Sequence, residues 1–189
     1  MDHNFNKKFS NSFQKDKYKG YFQSTNLEFD KIIAEIGPGS PCGEFLRRYW
    51  HPIALSSELK KQPKSIKVLC ENLILFRTPK GELGLVHENC PHRNASLEYG
   101  KCEDKGIRCC YHGWLFSPDG EILETPGEED NSIQAQNIRK KLKLGAYPVL
   151  EFNELIFAYM GPPNEMPEFP LYDAFFVEGI TNRPYKIDY

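Results

Sequence analysis

The sequence predicts a mostly β protein, a small antiparallel β domain preceded by short helices. From about residue 52 to 160, short apolar runs and alternating apolar and polar residues recur. Two turn tetrapeptides of the same chemistry, Thr78-Pro-Lys-Gly81 and Ser117-Pro-Asp-Gly120, punctuate these runs. Apolar residues at helical spacing, by contrast, are found ahead of residue 52. A chain of 189 residues suits one domain of common size plus extra segments. With 24 basic and 26 acidic side chains the formal net charge is -2, so no global field draws it to nucleic acid or to an anionic membrane.

Residues 1–25 are rich in Asn, Lys, Ser and Gln and read as a disordered polar tail. The N-terminus lacks a basic segment followed by an apolar run, and no stretch approaches the roughly 18 apolar residues of a membrane span, which predicts a cytoplasmic protein. Residues 26–51 form a helical lead-in. Thr25-Asn-Leu-Glu28 can make a capping box ahead of Phe29, Ile32, Ile33 and Ile36, and Gly37-Pro38 stops the pattern, which predicts a helix near 26–36. Ser40-Pro41 supplies the cap and first turn of a second short helix.

Residues 52–160 carry the strands. Ile66, Val68 and Cys70 alternate with more polar neighbours, Leu73 to Phe76 is an apolar run, and Leu83, Leu85 and His87 follow the first turn. Trp114 to Phe116 and Glu121 to Leu123 flank the second turn, and Pro148 to Phe152 and Leu155 to Met160 are separated by Asn153-Glu154. In 161–189, Pro162, Pro163, Pro167 and Pro170 favour an extended linker over further core.

Residues 88–116 hold four of the six cysteines and two of the five histidines. In a reducing compartment such clustering points to metal or redox chemistry rather than to structural disulfides. The pattern is Cys90-Pro91-His92, sixteen residues, then Cys109-Cys110-Tyr111-His112, so each loop offers one thiolate and one imidazole. A zinc finger of the two-Cys, two-His kind normally takes both cysteines from one loop and both histidines from another, and the interleaved order argues against it. The order suits a Rieske [2Fe-2S] cluster, in which one iron keeps two Cys and the other takes two His, and the function implied is one-electron transfer. Spacing selects Cys109, which gives C-x2-H, over Cys110. Cys110 then reads as a small buried side chain, Cys102 as a loop thiol between the ligand turns, and Cys42 and Cys70 as packing residues. His51 and His87 read as polar strand-end residues, and His3 lies in the tail.

Residues 26–189 resemble the N-terminal part of the oxygenase component of Rieske non-haem iron aromatic ring-hydroxylating oxygenases, of the phthalate dioxygenase type. The resemblance is carried by Pro38-Gly-Ser-Pro41, Leu46-Arg-Arg-Tyr-Trp-His-Pro52, Cys90-Pro-His-Arg-Asn-Ala-Ser-Leu97 and Ile107-Arg-Cys-Cys-Tyr-His-Gly-Trp114. It implies a Rieske-type β-sandwich with two cluster-binding loops, and one [2Fe-2S] cluster on Cys90, His92, Cys109 and His112. The family usually has Gly at the position of Asn94. Asparagine is the next most tolerant residue of positive φ, so Asn94 is expected there. The family also commonly has Pro or Val where this chain has Cys110.

The resemblance also implies what is absent. Respiratory Rieske proteins carry a second cysteine pair where Ala95 and Tyr111 stand, and hydroxyl donors to the cluster where Trp114 and Phe116 stand. The expected potential is therefore in the lower part of the range of about -150 to +300 mV. In the family, oxygen chemistry occurs at a mononuclear Fe(II) held by two His and a carboxylate in a C-terminal domain. No histidine follows His112, so this chain alone is expected to hydroxylate nothing. The implied partners are an NAD(P)H-dependent reductase or ferredoxin as donor, an oxygenase catalytic domain as acceptor, and further copies of the chain in a full-length homo-oligomer. A stand-alone Rieske-type ferredoxin and a zinc-binding structural module remain open alternatives.

Overall fold

The computed structural model describes residues 29–129, 132–179, 181 and 183–186. The expected polar tail, 1–25, and the start of the expected 26–36 helix lie outside these residues. The chain divides into two compact units, Met1–Lys31 and Ile32–Tyr189, and the second holds every strand among the described residues and every candidate ligand.

Among the described residues two short helices precede the strands, α1 Lys31–Ala34 and α2 Pro41–Leu46. The helix α1 stops short of the predicted end at residue 36. The Ser40 hydroxyl lies 2.7 Å from the carbonyl oxygens of both Glu35 and Gly37, and Pro38 bars the residue before it from helical backbone. Ser40 also caps α2 as expected, its oxygen accepting from the Gly43 amide at 3.2 Å with Pro41 in the first turn.

Among the described residues the strands form three antiparallel sheets. The first orders β1 (Trp50–Leu55), β11 (Leu155–Tyr159) and β10 (Val149–Phe152). The second orders β2 (Lys64–Val68), β3 (Glu71–Arg77), β4 (Leu83–His87) and β9 (Ala146–Tyr147). The third orders β5 (Lys101–Glu103), β6 (Gly106–Arg108), β7 (Leu115–Phe116) and β8 (Ile122–Glu124).

The apolar run in β3 is buried on both faces because the second sheet serves two cores. Leu73 and Leu75 pack with Ala54, Leu85 and Ile156 on the side of the first sheet. Ile74 and Phe76 point the other way and pack with Cys90, Ile107, Cys109, Trp114 and Phe116, as the period of two along a strand requires. Fully burying such a side chain contributes about 1.5–3 kcal/mol. The close approach at Phe76 requires Gly84 as its cross-strand partner, since a Cβ there would stand 2.4 Å from the Phe76 ring.

Both predicted turns close. The Gly81 amide donates to Thr78 at 2.9 Å and the Gly120 amide to Ser117 at 3.0 Å. A third turn differs from expectation: Cys70 does not continue an alternating strand but sits with Leu69 at positive φ, 67° and 44°, between β2 and β3. A Leu-Cys pair gives no turn signal. The turn is held by a tertiary contact, in which buried Arg47 donates to the Leu69 carbonyl at 3.1 Å and pairs with Glu71. A helix the sequence did not announce, α3 Ile133–Lys141, is capped by Ser132 and buries Ala135.

The proline-rich stretch after Gly161 is irregular but docked. The Trp50 indole donates to the Pro167 carbonyl at 3.1 Å. The Phe169 ring lies 5.7, 5.7 and 4.9 Å from those of Trp50, Phe152 and Phe157. Its aromatic residues, not its prolines, decide that placement. Among the described residues no helix is long and apolar enough to cross a membrane.

Candidate metal centre

Two loops at one end of the third sheet carry the four candidate ligands. The first runs from Cys90 to Ala95. The Cys90 amide donates to the Ala95 carbonyl at 2.9 Å and the Asn94 amide to the Cys90 carbonyl at 2.9 Å. Outside it, Asn89 and Ser96 form a bridge and the Leu97 amide donates to Glu88 at 2.8 Å. The second loop runs from Cys109, just after β6, to Trp114, just before β7. Here the Cys109 amide donates to the Trp114 carbonyl at 2.8 Å and the Gly113 amide to the Cys109 carbonyl at 3.0 Å. Asn94 has φ 60°, as expected from its place in the motif, and Gly113 has φ 73°.

These frames turn Cys90 and Cys109 into the core, 2% and 3% exposed. Burial pushes the Cys90 thiol up to about 11; the amides of His92 and Arg93 at the sulfur oppose this, and the hydrogen-bonded Cys109 thiol adds to it. Such a buried thiol becomes a thiolate ligand only when a cation offsets the cost. The histidines lie on the outer side. His92 is half-buried and His112 exposed, with ring centroids 4.7 Å apart. Burial, then the neighbouring His112 and Arg93, lower the pKa of His92 and favour the neutral, metal-binding imidazole. Trp114 stacks flat on His92 at 4.5 Å and 2°, and the Tyr111 ring lies 3.9 Å from that of His112.

Among the described residues, no group of three or more His, Cys, Asp or Glu side chains is placed to hold one metal ion. The donors stand as a thiol pair and an imidazole pair. This suits a two-iron cluster that divides its ligands by type.

The other cysteines and histidines lie elsewhere. Cys110, expected buried, is exposed, because the frame that turns Cys109 inward leaves its neighbour facing out. Cys102, expected in a loop, lies in β5 opposite Ile107, half-buried against the core that holds the two thiols. Cys42 is half-buried and Cys70 exposed, and all six cysteines are free. His51 Nε2 lies 2.7 Å from the Leu46 carbonyl oxygen at the start of β1. His87 ends β4 with Nε2 3.4 Å from Glu71 Oε2. Sequence reasoning missed Arg108, whose Nη1 donates to the Gly113 carbonyl at 2.7 Å. Its one sequence signal is a lone cation next to a candidate ligand, easily read as a solvated strand residue.

Residues 49–148 match the family model described as the Rieske [2Fe-2S] domain. Curated relatives include the tert-butanol monooxygenase / tert-amyl alcohol desaturase oxygenase subunit of Aquincola tertiaricarbonis, 48% identical over 80% of this chain and 30% of that protein. The phthalate 4,5-dioxygenase oxygenase subunit of Pseudomonas putida is 36% identical over 75% of this chain and 32% of that protein. The crystal structure of dicamba monooxygenase with non-heme iron and dicamba superposes with a TM-score of 0.60 at 28% identity, covering 71% of this chain and 40% of that one. The chain thus spans about a third of the length of these curated relatives. Fold, paired donors and family match agree, and the chain belongs to the Rieske [2Fe-2S] domain family.

Proposed function

We propose that the chain is the electron-transfer part of a ring-hydroxylating oxygenase system, with Cys90 and Cys109 on one side and His92 and His112 on the other holding one [2Fe-2S] cluster. The observation that supports this is the pairing across the loops: each contributes one buried thiol and one outward imidazole, and the two rings lie 4.7 Å apart. When bound, such a cluster takes up and passes on a single electron. The thiols keep the inner side free of water. The imidazoles give the outer side to a partner, with Trp114 fixing the plane of His92.

The donor is an NAD(P)H-dependent reductase or a ferredoxin. The acceptor is an oxygenase catalytic domain that supplies the mononuclear iron. The named substrates of the relatives run from tert-butanol to phthalate, so the proposal is confined to the electron-transfer role. A cytoplasmic setting fits six free cysteines.

Single Cys109→Ala and Cys110→Ala variants test the ligand set by visible absorption, iron content and electron paramagnetic resonance of the reduced protein. Cys110→Ala keeps the cluster spectrum and about two irons per chain, and Cys109→Ala loses both. The reverse result would falsify the assignment.

A further inference from the structure

Arg108 is the last residue of β6, immediately before Cys109. Its side chain is 25% exposed and meets three acceptors from three segments. Nε and Nη2 donate to Glu103 Oε2 at 3.0 and 2.8 Å. Nη2 also donates to Glu124 Oε2 at 2.7 Å, and Nη1 to the Gly113 carbonyl at 2.7 Å. Glu103 ends β5 and Glu124 ends β8, the two outer strands of the third sheet. One guanidinium therefore ties both edges of that sheet to the residue after His112. The carboxylates hold it charged, and Arg108 in turn is the main reason Glu103 stays below the usual carboxylate range.

Isolated ion pairs at this exposure contribute little to stability. What a planar, forked cation adds is direction, because several acceptors must meet it at fixed angles. We propose that Arg108, with Glu103 and Glu124, is a positioning residue for the cluster site: it sets the backbone at Gly113, and through it the aim of His112, and its charge offsets one of two nearby carboxylates. This rests on Cys109 and His112 being ligands. Negative charge near a redox site opposes arrival of an electron, so the same three side chains also bear on its potential.

The test uses the full chain and a dithionite titration followed by electron paramagnetic resonance. Arg108→Met removes the cation shared by Glu103 and Glu124, leaves Glu103 with Lys101 alone at 3.2 Å, and unties Gly113, so the midpoint potential falls and the g-values move. Arg108→Lys restores charge but not the fork; its midpoint returns toward wild type while its g-values stay displaced. Glu124→Gln keeps the Gly113 bond and removes one negative charge, so its midpoint rises with g-values unchanged. If Arg108→Met cannot be loaded with iron, the Lys and Gln variants decide. Loaded variants with wild-type midpoints and g-values overturn the inference alone. A wild-type chain that takes up no cluster overturns the ligand assignment and this inference with it.

Discussion

In the first loop the amide of Cys90 reaches Ala95 and that of Asn94 returns to Cys90; in the second the amide of Cys109 reaches Trp114 and that of Gly113 returns to Cys109. The closures match residue for residue, and both put a left-handed residue four positions after the cysteine. The histidine, however, stands two positions after the cysteine in one loop and three in the other. The frame is thus set by the cysteine and the left-handed residue, and the histidine can occupy either of two sequence positions within it. The loops also differ in how tightly that residue is held. Asn94 is exposed. Gly113 is half-buried, its carbonyl is bound by Arg108, and a Cβ there would stand 3.4 Å from Pro126.

The largest effect is expected where the hold is tightest. Gly113→Val puts a β-branched side chain at φ 73°, and its methyl groups must also pass Pro126. The left-handed strain and the crowding at Pro126 together cost about 2–3 kcal/mol. For a domain of this size that is a fall in Tm of roughly 5–10 °C, with loss of iron because Cys109 and His112 sit in the same closed frame. Thermal denaturation and an iron count check it. A variant as stable and as loaded as wild type would mean that the frame does not hold the ligands.

The cysteine and histidine motif, both Gly-terminated turns and the Ser40 cap were legible because each is a local rule written in adjacent residues. The proposed choice of Cys109 over Cys110 has a weaker reason in the sequence than in the frame of the second loop. Loop length alone cannot exclude C-x-H, since the first loop makes it in the same frame; what separates the two thiols is that Cys109 supplies the closing amide and carbonyl. The Leu69-Cys70 turn was illegible because its strain is held by Arg47, more than twenty residues away in sequence. The same applies to Arg108: its partners Glu103 and Glu124 become neighbours only once the strand order is known. The helix α3 escaped notice because it buries so little, Ala135 alone among its described residues.

A smaller effect is expected from the same change in the first loop. Asn94→Val carries the same backbone penalty at φ 60°, but the side chain is exposed and meets no crowded neighbour. The left-handed cost alone, about 1–2 kcal/mol, should remain. A fall in Tm as large as that of Gly113→Val would show that the loops are held alike and that the brace at Arg108 is irrelevant to the difference.

The smallest effect makes the first loop chemically like the second. Asn94→Gly removes the residual strain of an asparagine in the left-handed region and loosens the unfolded chain, two terms of opposite sign. Their sum should lie within about 0.5 kcal/mol of zero, with any bias toward stabilisation. Iron content and the reduced-state resonance should not change, because the amide of residue 94 still donates to Cys90. If Asn94→Gly instead destabilised the protein by more than about 1 kcal/mol, the asparagine side chain would be supplying a contact of its own. The first loop would then have a brace equivalent to Arg108, and the difference in hold between the loops would vanish.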